Sequence, residues 1–278
     1  MKQKDRKNRL YGAEGFDLYY SQIFGSRWQN LKESLYGENQ PAEFNAGAES
    51  YFLDTASIRA AVSLPLKGAE TVLDMCAAPG GKTIVLASCM EKSAVLLSNE
   101  RSSERKARLV RSVQNCLPDE IKSRVTVICK DGATLCLSKA NRFDRILLDA
   151  PCSSERHVLR DLNYLKDWSP SRIKTLAVAQ WALLSSAWRM LNGGGYLLYS
   201  TCALNPDEND GVIKKLLKKF DDAEVCFPDT VTDVSEFCNS TLPEGEKTAF
   251  GTHVLPDACA GAGPLYFSLL HKKDEIPL

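Results

Sequence analysis

Val72-Leu73-Asp74-Met75-Cys76-Ala77-Ala78-Pro79-Gly80-Gly81-Lys82-Thr83 passes from a short apolar run into a helical pattern through a Pro-Gly-Gly turn. An open α/β sheet takes its ligand at such a strand-to-helix turn, outside the carboxyl ends of its strands. Gly80 and Gly81 carry no Cβ, so a close approach of ligand to backbone is expected there. The ending Gly81-Lys82-Thr83 also matches the last part of the phosphate-binding pattern G-x-x-x-x-G-K-[ST]. Cys76 stands where that pattern needs its first glycine, and no G-x-G-x-x-G occurs in the turn.

Working outward, Thr71–Met75, Ala94–Ser98, Val125–Cys129, Asp144–Asp149 and Gly195–Ser200 read as strands. Gly81–Glu91, Ser102–Asn115 and Arg172–Leu191 have helical composition, so the alternation predicts a mostly parallel sheet covered on both faces. Asn205-Pro206 has the form of an N-cap followed by proline in the first turn, opening a helix to about Phe220. Pro264–Leu270 reads as a last strand, antiparallel, at the end of the sheet. Ahead of this core, Phe16–Phe24 and Trp28–Tyr36 read as amphipathic helices, followed by a looser stretch at 37–48. The expected organisation is a helical N-terminal extension over residues 1–48 and a catalytic unit over 49–278.

Three acids fall at strand ends: Asp74, Glu100 just past the second strand, and Asp131 past the third. A carboxylate after the second strand accepts hydrogen bonds from ribose hydroxyls, and Asp131 would meet the adenine edge. Beside a glycine turn, this favours an adenosine cofactor held without a phosphate clamp.

Composition narrows the class further. The chain has 278 residues, 44% hydrophobic and 25% charged, which excludes collagen-like, coiled-coil and disordered classes. No run approaches the roughly 18 apolar residues of a membrane span, and MKQKDRKNRL has no apolar core of a signal peptide. The expectation is an intracellular, cytoplasmic protein with no membrane partner, an organelle being compatible as well. Thirty-five basic residues balance thirty-five acidic ones. Charge is segregated, however: Lys2, Lys4, Arg6, Lys7 and Arg9 against Asp5 give +4, and Arg101, Arg105, Lys106, Arg108 and Arg111 against Glu104 give +4. Residues 221–246 hold eight acids and no base. The lysines at 214, 215, 218 and 219 read as a solvated helix face.

Ten cysteines in a long chain without a secretory leader read as reduced thiols. No Cys-x-x-Cys occurs, and His157, His253 and His271 are far apart, so no metal site is expected. Cys89, Cys116 and Cys129 read as small hydrophobes inside elements. Two others differ. Asp149-Ala150-Pro151-Cys152-Ser153 follows the fourth strand and Ser200-Thr201-Cys202 the fifth, which places both thiols at the ligand-binding edge. Cys202, three residues before the expected helix, would gain from that helix's N-terminal charge as a nucleophile.

Taken in order, LDMCAAPGGKT, DAPCSS and YSTC resemble the Sun/RsmB-type RNA (cytosine-5) methyltransferases. The resemblance spans about residues 50–270, from Tyr51–Ser57 to Gly263–Phe267. It implies a Rossmann-like class I methyltransferase fold with a seven-stranded sheet, S-adenosylmethionine as cofactor, and RNA as substrate, with no DNA expected. Cys202 is then the nucleophile, Asp149 and Pro151 orient the cytosine, and Cys152 assists product release. The cofactor positions carry over as Cys76, Ala77, Ala78, Pro79, Gly80, Gly81, Lys82, Glu100, Asp131 and Asp149. Where many members have a glycine-containing stretch after the fourth-strand cysteine, this chain has Ser153-Ser154-Glu155-Arg156-His157, closer to the organellar branch. That branch favours ribosomal over transfer RNA. With about 48 residues ahead of the catalytic unit, RNA selection would fall to that segment, to the 101–111 patch or to an RNA-binding partner protein. Two other classes compete: a P-loop-like nucleotide hydrolase, and a catalytically silent RNA-binding factor on the same fold.

Overall fold

A computed structural model of the chain describes residues 10–39, 41–138, 142–227 and 231–274. The basic cluster at residues 2–9 and one acid of the 221–246 stretch, Asp229, lie outside the described residues.

Helices α1 (Gly12–Phe24) and α2 (Trp28–Tyr36) come first, then a hairpin of β1 (Ala42–Phe44) and β2 (Tyr51–Leu53) that spans the 48/49 division. The core follows as α3 (Thr55–Val62), β3 (Thr71–Asp74), α4 (Gly81–Cys89), β4 (Val95–Asn99), α5 (Ser103–Cys116), α6 (Asp119–Lys122), β5 (Val125–Ile128) and α7 (Gly132–Leu135). Next are β6 (Phe143–Asp149), α8 (Glu155–Arg160), α9 (Leu162–Lys166), α10 (Pro170–Met190), β7 (Leu191–Thr201) and α11 (Asp210–Lys219). The chain closes with β8 (Ala223–Cys226), β9 (Glu246–Lys247), β10 (Thr252–Val254) and β11 (Leu265–Lys272).

Strands β5, β4, β3, β6 and β7 lie side by side and parallel, with β11 antiparallel against β7. The far edge of β11 is shared: β8 takes its residues 269–272 and β10 its residues 265–267. The expected seven strands are thus present, and the short strands β10 and β9 extend the sheet to nine. The last strand is antiparallel as expected but lies inside the sheet, because β8 and β10 flank it. Those two are three or four residues long and mostly half-buried, so they leave little apolar signature.

Period-two alternation divides the strand side chains between two cores. Val72, Leu96, Leu147 and Leu198 face a cluster with α3, α4 and α5. Leu73, Ile146, Leu148, Leu197 and Tyr199 face a second cluster with α10 and α11. Each such buried side chain contributes roughly 1.5–3 kcal/mol. The helix at Asn205-Pro206 starts later than the sequence suggests. Asn205 Oδ1 accepts from Asp207 N at 2.8 Å, but the chain then turns, Gly211 N returning to Pro206 O at 2.9 Å, and α11 begins at Asp210.

The N-terminal helices form a third cluster against the segment after β6. Phe16 meets Trp168 edge-on with ring centroids 5.1 Å apart, and Tyr20 stacks on Trp28 at 5.2 Å. Arg156 donates to the carbonyls of Ser34 and Gly261, and Arg160 to those of Tyr36 and Gly37, pinning α8 to the end of α2. Among the described residues, no helix is long and apolar enough to cross a membrane.

Candidate active site

At the carboxyl edge of β3, β6 and β7 lies a cleft of about 620 Å³. Its wall includes Cys76, Ala78, Lys82, Asp149, Pro151, Cys152 and Cys202. A neighbouring recess of about 240 Å³ is lined by Asp74, Cys76–Pro79, Gly81, Lys82 and Asp149, with Tyr51, Phe52 and Leu53 from β2.

The glycine turn has a packing role that the sequence does not show. A Cβ on Gly81 would sit 2.9 Å from a ring carbon of Tyr51 and 3.2 Å from Leu53 Cδ1. A Cβ on Gly80, whose φ of +121° is itself a glycine conformation, would meet Ser112 Cβ of α5 at 2.9 Å. Both glycines serve close packing, of the hairpin and of α5; Gly81 also lines the recess, whereas Gly80 lines neither cavity.

Asp74 is fully buried at the end of β3, its Oδ2 accepting from Thr83 Oγ1 at 2.6 Å while Oδ1 has no partner. Burial pushes its carboxyl up to about 7, against the Thr83 hydrogen bond. Lys82 Nζ lies 2.7 Å from Asp149 Oδ2 and 3.3 Å from Ser57 Oγ. Burial alone would lower the Lys82 ammonium; the Asp149 charge and hydrogen bond outweigh it, so its pKa is raised and the lysine stays protonated. Asp149 Oδ1 in turn accepts from Ser200 Oγ at 2.8 Å. A lysine committed to a carboxylate is not the free cation of a phosphate cradle, and the P-loop alternative fails on this geometry.

Glu100 and Asp131 are not on the wall of either cavity. Glu100 is buried, Oε1 accepting from Ser102 N at 2.9 Å, while Oε2 has no hydrogen bond and only Arg105 Nη1 at 3.4 Å. Arg105, whose Nη2 donates to Ala78 O at 2.7 Å, takes the place on the cleft wall. Asp131 caps α7 through Ala133 N at 3.1 Å and approaches Arg101 at 4.0 Å. The buried, unpartnered Glu100 Oε2 is the acceptor a ribose hydroxyl would satisfy, and the half-exposed Asp131 is open to an adenine amine. The donor set therefore fits an adenosine cofactor.

The two strand-end cysteines meet. Cys152 Sγ and Cys202 Sγ are 2.7 Å apart, and Ser154 Oγ lies 3.2 Å from the latter and 3.5 Å from the former. The hydrogen bond from Cys152, joined by that from Ser154, lowers the Cys202 thiol below its usual range against the opposing effect of burial. The same hydrogen bond, with burial, holds the Cys152 thiol well above it. The shared hydrogen bond thus favours ionisation of Cys202 over that of Cys152. Helix charge has no part in this, because α11 begins eight residues after Cys202 and the effect fades within a turn.

Two buried carboxylates to which the sequence reading gave no role organise the loops. Glu155 accepts from Tyr20 Oη and Ser153 Oγ on Oε1, and from Leu204 N at 3.0 Å on Oε2. Glu208 Oε2 accepts from Ser153 N at 3.0 Å and Gln180 Nε2 at 2.7 Å. Their only sequence signal was an acid beside each cysteine motif. Cys116 is buried as expected, but Cys129 lies just past β5, its thiol donating to Arg101 O at 3.4 Å. His157 reaches the cleft wall beside Tyr164. Among the described residues, no group of three or more His, Cys, Asp or Glu could hold a metal ion.

A five-stranded parallel sheet extended by antiparallel β11, with a glycine turn after β3 and an acid past β4, defines a Rossmann-like methyltransferase fold. The particular family follows from comparison: a profile described as 16S rRNA methyltransferase RsmB/F matches residues 61–268, and the chain belongs to that family. Ribosomal RNA small subunit methyltransferase F of Vibrio cholerae is 36% identical over 200 residues, covering 70% of this chain and 41% of the relative. The 5-cytosine rRNA methyltransferase NSUN4 of Xenopus tropicalis is 31% identical over 228 residues, covering 80% and 56%. The chain therefore spans about half the length of these relatives or less. A methyltransferase homolog protein from Pyrococcus horikoshii shares the fold with a TM-score of 0.73 at 21% identity, over 98% of this chain and 100% of that one.

Proposed function

We propose that the protein methylates C5 of a cytosine in ribosomal RNA, with S-adenosylmethionine as donor, through a covalent bond between Cys202 and C6 of the base. The observation that carries this reading is the Cys202–Cys152 contact on the cleft wall it shares with Asp149 and Lys82. Family membership and the printed activities of the Vibrio and Xenopus relatives support it. The two matched cysteines and the strand-end acids speak against a silent binding factor.

Cytosine C5 is a weak nucleophile. The Cys202 thiolate adds to C6, which makes C5 enamine-like, and Asp149 with its Lys82 partner holds a proton at N3 to stabilise the charge that develops. The bound cofactor supplies an electrophilic methyl group on a sulfonium. Glu100, Asp131 and the 76–82 turn would hold its adenosine. Cys152, relieved of its hydrogen bond once Cys202 is bonded to carbon, passes its own proton to solvent and, as the thiolate, takes the C5 proton, directly or through a water. The C6–S bond then breaks and its electron pair returns to Cys202. Reaching the base requires extruding it from any helix, at a cost of a few kcal/mol, so an unpaired cytosine is the expected target.

The test is incubation of the purified protein with labelled S-adenosylmethionine and separate unmodified ribosomal and transfer RNA pools, with nucleoside mass spectrometry. 5-Methylcytidine in the ribosomal pool is expected. No binding of S-adenosylmethionine at all would overturn the reading.

A further inference from the structure

Ser154 occupies a position with two unexplained features. It is the residue before α8, where a serine side chain ordinarily accepts a hydrogen bond from the first-turn amides, yet its hydroxyl makes no such bond. Its backbone is left-handed, φ 55° and ψ 58°, a conformation that disfavours any residue with a Cβ. Both features weaken the local fold, and strain of this kind persists where the surroundings impose it for a purpose. The hydroxyl, instead of capping the helix, lies against the cysteine pair: 3.2 Å from Cys202 Sγ, 3.5 Å from Cys152 Sγ and 3.4 Å from the Cys152 carbonyl oxygen.

Resting on the methyltransferase reading above, we propose that Ser154 is a catalytic residue whose hydroxyl donates to the Cys202 sulfur and stabilises it as the attacking and departing thiolate. Ser154 keeps its proton throughout. When the sulfur lone pair forms the S–C6 bond, negative charge leaves the sulfur for the ring and the hydrogen bond weakens. When that bond breaks, the electron pair returns to the sulfur and the hydroxyl receives it. Cys152 donates to the same sulfur but must be released to serve C5 proton removal. Among the described residues, Ser154 is then the side-chain donor in hydrogen-bond contact that remains on Cys202 across the whole cycle. The lowered Cys202 thiol, with the Ser154 hydrogen bond among its causes, agrees with this role. Glu155, the next residue, anchors the strained turn by accepting from Tyr20 and Leu204 N.

The test compares Ser154→Ala with Ser154→Gly. Alanine removes the hydroxyl and keeps the strain; glycine removes both. Iodoacetamide labelling of Cys202, followed by peptide mass spectrometry across pH under reducing conditions, reads the thiolate without RNA or methyl transfer. Both variants are expected to shift the labelling curve to higher pH, with labelling at neutral pH slowed by about tenfold, the size of one charge-assisted hydrogen bond. Glycine alone is expected to raise the melting temperature. In the methylation assay kcat at neutral pH falls by a similar factor, recovers toward higher pH, and KM for RNA is unchanged. A Ser154→Ala curve that superposes on the wild-type curve would overturn the proposal. Should the wild type methylate no RNA while the labelling curve still shifts, the methyltransferase reading fails and the hydrogen bond stands.

Discussion

The Tyr20 hydroxyl, in the first helix, donates to a carboxylate oxygen of Glu155, 135 residues further along the chain. The same carboxylate accepts from Ser153 beside Cys152 and from the amide of Leu204, two residues after Cys202. One buried side chain therefore spans the N-terminal helices and both cysteine loops.

Tyr20→Phe removes one donor from a buried carboxylate and is expected to cost about 2 kcal/mol of stability. Glu155→Ala leaves the Tyr20 and Ser153 hydroxyls and the Leu204 amide without an acceptor, and costs more. Urea midpoints measure both. Because Glu155 ties Ser153 beside Cys152 to Leu204 just after Cys202, Tyr20→Phe is also expected to lower methylation beyond the loss of folded protein. A Tyr20→Phe variant with wild-type midpoint and rate would show that the helices do not buttress the site.

Stability is expected to fall as pH rises from about 4.5 to about 7, and Glu208 is one cause. Burial, joined by the nearby Glu155 charge, pushes its carboxyl from 4.5 to about 7. Between those values the folded state binds more protons than the unfolded one, so the slope of stability against pH is negative. The effect is absent below about 4.5 and complete above about 7, amounting to at most about 3 kcal/mol. Glu208→Gln keeps an oxygen for Ser153 N and Gln180. It should flatten this decline, raising stability at pH 8 and changing little at pH 5, by urea unfolding at the two values. An unchanged slope would remove Glu208 as its source.

What the sequence conveyed depended on how local the determinant was. β3, β4, β6 and β7 were readable because apolar runs such as Leu73 and Ile146–Leu148 are buried on both faces. β8, β9 and β10 were not, since each is four residues or fewer and takes its place from pairing with β11 or with one another. The motif residues Asp149, Cys152 and Cys202 could be placed at one sheet edge by counting strands. The roles of Glu155 and Glu208 could not, because their donors Tyr20, Gln180 and Leu204 come from distant segments. The packing of Gly81 against Tyr51 could not be read, because Tyr51 is thirty residues away in a three-residue strand.

Gly81→Ala tests that packing. The added methyl group would stand 2.9 Å from the Tyr51 ring and 3.2 Å from Leu53, so β2 must move. The expected cost is about 1–3 kcal/mol, as for other overpacked sites. Tyr51→Ala in the same chain opens the space, and a double-mutant cycle by urea unfolding should show coupling. Additive effects would mean that the glycine serves some other contact.

The cysteine pair makes opposite predictions for its two members. With Cys202 lowered and Cys152 raised by one shared hydrogen bond, the proposed mechanism gives the addition step to Cys202. Cys202→Ala should abolish methylation, leave S-adenosylmethionine binding intact and form no adduct with RNA. Cys152→Ala keeps a nucleophile that still has Ser154 as donor, so addition proceeds; what it lacks is the group serving C5 proton removal, without which the C6–S bond cannot break. The expected result is an enzyme–RNA adduct that survives denaturing gel electrophoresis and disappears in the Cys152→Ala/Cys202→Ala double variant. If Cys152→Ala turned over at the normal rate with no adduct, its sulfur would be only a hydrogen-bond donor to Cys202. If Cys202→Ala formed the adduct instead, the assignment of the two sulfurs would be reversed.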